Sequence, residues 1–179
     1  IIVASLIWQL FQKDTSTPVA DWALTVAGGL YIGWLIRHFV ALRSLEEGFR
    51  WTMLTFLITW AGDTGAYFIG LKWGRRPLWP RLSPRKTWEG TIGGWLSGIV
   101  ASLILGALVG LAPLHSVAIG VLLSTLAPFG DLSVSMIKRQ VGAKDSSHLI
   151  PGHGGMLDRI DSLLFTVVGM YYYVSLVLL

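Results

Sequence analysis

Cysteine is absent from the 179-residue chain. That excludes a disulfide framework and thiolate metal ligation. Charge is scarce as well. Asp, Glu, Lys and Arg make up 13% of the residues, about half the ~25% usual in a soluble domain. There is no His-Glu-x-x-His pattern, which argues against a zinc hydrolase, and no P-loop signature. Low-complexity segments and fixed-period repeats are also missing. What fills the chain is apolar: 53% of residues are hydrophobic, and mean hydropathy is +0.62. A disordered chain, a fibrous chain and an ordinary soluble enzyme are thereby excluded. The composition fits an all-α, polytopic helical membrane protein, whose apolar surface faces lipid as well as the core. The isoelectric point is about 9.6 and the formal net charge is +4. In a soluble protein that balance would raise nucleic acid as a partner. Here the cations gather in a few loops, so a lipid bilayer is expected and nucleic acid is not.

A helix needs roughly 20 apolar residues to cross a ~30 Å hydrocarbon core. Five full stretches qualify, near 22–42, 51–71, 91–112, 117–137 and 157–179, with a partial one at 1–11. About six spans are therefore expected, in a single transmembrane domain covering 1–179. Ile1 opens the chain without an initiating Met, and Leu179 lies in an apolar run. The expectation is the C-terminal part of a longer chain. Trp8, Trp22, Trp51, Trp73 and Trp88 fall near span ends, as an interfacial belt would place them. Gly90, Gly94, Gly98, Ser102, Gly106 and Gly110 form a ridge of small residues along the fourth span. Such a ridge serves close helix packing within the chain, or a dimer or site-lining seam.

Counting Lys and Arg gives the orientation. The loops at 12–21, 72–90 and 138–159 carry eleven, and the other side carries three, Arg37, Arg43 and Arg50. The positive-inside rule puts the richer side in the cytoplasm. The two long polar loops, 72–90 and 138–159, then share that face and are expected to carry the site.

Several carboxylates sit in or against spans. Asp63 lies nine residues before Lys72, about 13 Å along a helix. Asp131 lies seven residues before Lys138, about 10 Å. Asp158 and Asp161 open the last span and share a helix face. All four project at comparable depth from the cytoplasmic half. An Asp at mid-membrane costs about 2.5–3.5 kcal/mol, and four together repel. Divalent metal, Lys/Arg, or both should neutralise them. An oxygen-only ligand set suits a hard ion such as Mg²⁺, Mn²⁺ or Ca²⁺. A buried ion-pair network and a transporter's cation pathway are the rival readings. His38, His115, His148 and His153 are dispersed.

The first polar loop contains Ser83-Pro84-Arg85-Lys86-Thr87-Trp88-Glu89-Gly90. Hydroxyls, cations and a helix N-terminus together suit a phosphate. Lys72, Arg75, Arg76 and Arg81 read better as positive-inside anchors attracted to anionic lipid. In the second loop, Asp131, Ser135 and Lys138 line one helical stripe. Pro128 deprives the Ser124 carbonyl of its helix partner. That frees a ligand oxygen or makes a kink. Gly152, Gly154 and Gly155 flank His153 and lead into the acids of the last span. A glycine-rich turn of this kind is a plausible cradle for a metal and a triphosphate. Residue chemistry alone points to a phosphorylated substrate, with a nucleotide and a lipid-embedded molecule as candidates.

The run from Ser135 to Asp161 resembles the signature of the phosphatidate cytidylyltransferases, the CDP-diacylglycerol synthases. Ser135, Lys138-Arg139, Lys144-Asp145, Pro151-Gly152-His153-Gly154-Gly155 and Asp158-Arg159-Ile160-Asp161 match it without departure over those 27 residues. Residues 83–90, 130–132 and 60–67 are also similar to family segments. Arg85 stands where Lys is commoner, which keeps the charge. The resemblance covers roughly residue 51 to the end, and family members usually have additional N-terminal spans.

The resemblance implies transfer of CMP from CTP to phosphatidate, giving CDP-diacylglycerol and pyrophosphate. It implies Mg²⁺, with a second, monovalent cation left open. On this reading Asp131 and Asp158 are the principal metal ligands, Asp161 assists, and Asp63 supports the site or binds a second cation. Lys138, Arg139 and Lys144 hold triphosphate or leaving pyrophosphate, and Asp145 and His153 join the catalytic group, His153 orienting a phosphate. Ser83, Arg85, Lys86, Ser135 and Arg159 bind substrate. The expected partners are CTP, phosphatidate and the bilayer, with a homodimer left open. The expected place is a bacterial inner (plasma) membrane, with the active site facing the cytoplasm. CTP-dependent lipid-alcohol kinases are the nearest enzyme rival.

Overall fold

A computed structural model describes residues 2–13, 16–140, 142, 146 and 155–179. The chain is helical almost throughout. Helix α1 is Ile2–Leu10, α2 is Pro18–Arg43 and α3 is Gly48–Trp73. A short hairpin follows, with β1 at Pro77–Trp79 and β2 at Ser83–Thr87. Helices α4 (Trp88–Leu108), α5 (Pro113–Gln140) and α6 (Leu157–Tyr173) complete the bundle, and a π turn at Val174–Leu178 extends α6.

Of the about six spans expected, four are met among the described residues by length and composition. Helices α2, α4, α5 and α6 with its extension are long and apolar enough to cross a membrane. The nine residues of α1 reach only about 14 Å. Helix α3 has 26 residues, ample length, but it carries Arg50, Asp63 and Lys72 among its apolar residues. Leu57, Trp60, Ile92, Leu96, Val100 and Ile104 are exposed on α3 and α4. Such apolar outer surfaces are what a helix shows to lipid.

The ridge of small residues on α4 packs within the chain. A Cβ on Gly94 would lie 3.1 Å from the Gly62 carbonyl oxygen of α3. One on Gly98 would overlap the Ser124 hydroxyl of α5. Ser102 donates to the Ser116 carbonyl at 2.6 Å. Helix α4 is thus clasped between α3 and α5, at backbone-to-backbone range that larger side chains would forbid.

The ends of α4 are built locally. Thr87 caps its start, with the Thr87 hydroxyl accepting from Gly90 N–H at 3.2 Å. At its finish Gly110 has φ +72°, which glycine tolerates. The Leu111 N–H then returns to the Gly106 carbonyl at 2.8 Å, and Gly110 N–H to Ala107 at 3.2 Å, a Schellman closure. Pro113 starts α5 two residues later.

The apolar core lies toward the end remote from the long polar loops. Leu42, Trp51, Leu54, Ile58, Ile119, Leu123, Val167, Met170 and Val174 are buried together there. Arg50 closes that end by donating to the Val109 carbonyl at 2.5 Å. The other end is where the acids gather.

Candidate active site

The hairpin decides which cation of the first polar loop reaches inward. The register pairs Pro77 with Thr87 and Trp79 with Ser83. A step of two residues on β1 against four on β2 marks a bulge, which breaks simple alternation and leaves Pro84 and Arg85 exposed while Lys86 and Thr87 are half-buried. Lys86 turns to α5 and pairs with Asp131, Nζ to Oδ2 at 2.5 Å. The other oxygen of Asp131 accepts from the Ser135 hydroxyl at 3.2 Å. Segments 45 residues apart in sequence thereby meet. Arg85 is exposed.

Asp131 does not stand alone. Asp63 of α3 and Asp161 of α6 lie close enough that their charges and those of Asp131 and Lys86 act on one another. Ser162 lies beside Asp63, and the Ser162 N–H donates to Asp161 Oδ1 at 2.7 Å. Among the described residues, neither Asp63 nor Asp161 has a Lys or Arg within ion-pair distance. Three carboxylates therefore face a single ammonium group. Gly130 makes the crowding possible. A Cβ there would lie 2.4 Å from the Asp161 carbonyl oxygen and 3.1 Å from Ser162 Cα, so only glycine lets α5 and α6 meet so closely.

Asp158 is held differently. Its Oδ1 takes the Lys138 ammonium at 2.6 Å. Its Oδ2 accepts from Ser146 N–H at 2.9 Å, the Ser146 hydroxyl at 2.8 Å and Gly155 N–H at 2.9 Å. It sits in the first turn of α6, where the helix dipole favours an anion, and Lys138 sits in the last turn of α5, where a cation is favoured. Asp158 thus ties the end of α5, the following loop and the start of α6 together.

The donor chemistry of Asp63, Asp131 and Asp161 fits a hard divalent cation: oxygen only, with more negative charge than Lys86 balances. Among the described residues no three acidic or histidine side chains converge as a ready ligand shell. Asp158 would have to give up one of its donors to bind an ion.

The expected site residues divide as follows. The structure brings together Asp63, Lys86, Asp131, Ser135 and Asp161, and separately Lys138 with Asp158. Arg139 and Arg159 are exposed at the facing ends of α5 and α6. Ser83 is half-buried in the hairpin. Lys144, Asp145 and His153 lie outside the described residues. His38 and His115 are away from the site: His38 Nδ1 meets the Trp34 carbonyl at 2.8 Å, and His115 Nδ1 meets the Tyr173 hydroxyl at 2.9 Å.

Roles for Ser162, Ser146 and Gly130 were not anticipated, whereas Glu89 sits in the first turn of α4, where the helix dipole favours an acid. Glu89 accepts the N–H groups of Arg75 and Arg76, both at 3.1 Å, and so pins the hairpin to α4. The carbonyl freed by Pro128 is taken by a side chain: Trp95 Nε1 donates to Ser124 O at 3.1 Å. Beside the acids, an apolar cleft of about 500 Å³ opens between α2, α5 and α6. Tyr31 and Phe165 line it, and Tyr31 is near enough to feel the Asp161 charge.

The family model for the cytidylyltransferase family matches residues 1–177. A phosphatidate cytidylyltransferase of Bacillus subtilis is 35% identical over 178 residues, covering 98% of this chain and 66% of that protein. One from Mycobacterium bovis is 32% identical over 189 residues, covering 98% and 62%. One from Staphylococcus epidermidis is 40% identical over 152 residues, covering 82% and 56%. The chain spans roughly three-fifths of the length of the curated relatives it matches.

Proposed function

Since this chain belongs to the cytidylyltransferase family, we propose that it carries the site for transferring CMP from CTP to phosphatidate, giving CDP-diacylglycerol and pyrophosphate. The observation that carries this reading is the Lys86–Asp131 pair. It joins the hairpin to α5, with Asp161 of α6 alongside, in one polar site toward one end of an apolar bundle. A water-soluble nucleotide and a membrane lipid need such a meeting place.

In the reaction, a phosphate oxygen of phosphatidate attacks the α-phosphorus of CTP. The new P–O bond forms as the bond from the α-phosphorus to the bridging oxygen breaks, and pyrophosphate leaves with that electron pair. The nucleophile is already anionic, so no side chain need remove a proton. The protein's task is positioning and charge neutralisation. Lys86 holds one phosphate substrate. Lys138 and Arg139, at the end of α5, hold triphosphate or departing pyrophosphate, together with Lys144. Ser135 and Arg159 border the same site, and His153 and Asp145, outside the described residues, complete the catalytic group, His153 orienting a phosphate. Asp131 and Asp161, with Asp63, would hold Mg²⁺. Bound there, the ion would neutralise developing charge on the phosphoryl oxygens. The apolar cleft beside Tyr31 suits acyl chains.

The reading extends to topology. Helix α3 adds a further crossing beside α4, with its one acid, Asp63, on the side of Lys86 and Asp131. The long polar loops face the cytoplasm, by their share of Lys and Arg, and the membrane is the inner membrane of a bacterium.

The test is product analysis with α-labelled CTP and Mg²⁺, using purified protein in detergent and offering phosphatidate and a polyprenol separately. The expected product is labelled lipid from phosphatidate alone. Phosphorylation of the polyprenol from γ-labelled CTP, with no labelled CDP-lipid, would move the assignment to a lipid-alcohol kinase.

A further inference from the structure

The hairpin between α3 and α4 has a face that the site does not use. Lys86 is committed inward to Asp131. Arg75, Arg76 and Arg81 are exposed, and among the described residues none has a carboxylate within ion-pair distance. The acid that follows them in sequence, Glu89, is spent on the backbone N–H groups of Arg75 and Arg76. Three indoles accompany these cations. Trp73, Trp79 and Trp88 are 55%, 49% and 53% exposed, and the Lys72 ammonium lies 4.7 Å from the Trp73 ring centre. Cations mixed with exposed indoles match the headgroup layer of a bilayer, where an amphipathic ring buries its body and wets its N–H.

The placement agrees. The hairpin connects the end of α3 to the start of α4, and α4 is apolar enough to cross the membrane. Its backbone is fixed by the β1–β2 pairing and by Trp88 N–H donating to the Arg76 carbonyl at 2.9 Å. Pro77, Pro80 and Pro84 remove donors from its edges, which discourages pairing with another strand. The surface is therefore preformed, cationic and aromatic.

We propose that the outward face of this hairpin docks anionic phospholipid headgroups of the surrounding leaflet, separately from the phosphate held by Lys86. Charge complementarity selects an anion. The indoles select a lipid over a free phosphate, because a small soluble anion offers them nothing to bury against. The inference depends on the chain lying in a bilayer and not on the reaction it catalyses.

The absence of cysteine permits a clean probe. Pro80→Cys, labelled with an environment-sensitive fluorophore, reports the hairpin turn in nanodiscs of phosphatidylcholine with or without phosphatidylglycerol. With the anionic lipid, a blue-shifted emission and reduced quenching by aqueous acrylamide, a neutral quencher, are expected, both reversed by high salt. Adding Arg75→Gln, Arg76→Gln and Arg81→Gln should weaken the apparent preference for anionic lipid by about tenfold or more. Inorganic phosphate added to phosphatidylcholine discs should change nothing. Identical emission in both lipids, or a full response in the triple variant, would overturn the proposal. A response reproduced by inorganic phosphate would overturn it too, in favour of a free-anion site.

Discussion

Asp131 and Asp158 stand at the same end of the bundle and are held in opposite ways. Asp158 accepts from four donors on three sequence segments. Its removal should be a stability event. Asp158→Asn should lower thermal stability by about 1.5–3 kcal/mol, the usual worth of a hydrogen bond to a charged group, as read by thermal unfolding in detergent. An unchanged melting curve would contradict the tethering role. The hairpin cations offer a second contrast. Lys86→Gln should cut CTP turnover by about a hundredfold or more, as loss of a preorganised charge does. Arg85→Gln, on the exposed face, should change it by no more than about fivefold. Equal losses would mean that the Lys86–Asp131 contact does not set the site. The stripe of Asp131, Ser135 and Lys138 could be read directly from helical spacing. The Lys86 contact could not, because it depends on where α4 carries the hairpin. Nor did Ser83-Pro84-Arg85-Lys86-Thr87 announce a strand, since Pro and a charged pair are poor strand residues.

At the scale of elements, close packing of helices sets the geometry. Gly130 is where α5 meets α6, and Gly130→Ala forces Cβ to within 2.4 Å of the Asp161 carbonyl oxygen. Overpacking of this kind costs about 1–3 kcal/mol, and α6 must shift with Asp161 on it. Both melting temperature and turnover should fall. Gly28 on α2 has nothing within 4 Å of its would-be Cβ, so Gly28→Ala should be neutral or stabilising by about 1 kcal/mol or less. If Gly28→Ala proved as harmful as Gly130→Ala, the packing account would fail. The α4 ridge was legible as a close-packing surface, while its partners α3 and α5 were not, because spacing shows a groove and not what fills it. Pro128 likewise disclosed a freed carbonyl at Ser124, but only the fold shows Trp95 as its donor.

For the whole molecule, apolar composition and positive loops foretold a helical bundle with its polar business at one end. The number of spans was less legible. Helix α3 mixes Asp63 and Lys72 into an apolar run, so its composition reads as neither lipid-facing nor soluble. Topology is testable with single cysteines introduced at Pro80 and His115. The first should react with a membrane-impermeant maleimide from the cytoplasmic side and the second from the opposite side. The reverse pattern would contradict the orientation. The central claim is that the hairpin and the acid cluster form one site for CMP transfer to phosphatidate. Its most direct test is formation of labelled CDP-diacylglycerol from α-labelled CTP, by wild type and by Asp131→Asn shown to be equally folded. The account predicts robust product from the wild type and a loss of about a hundredfold or more in the variant. Wild-type turnover in Asp131→Asn would contradict it.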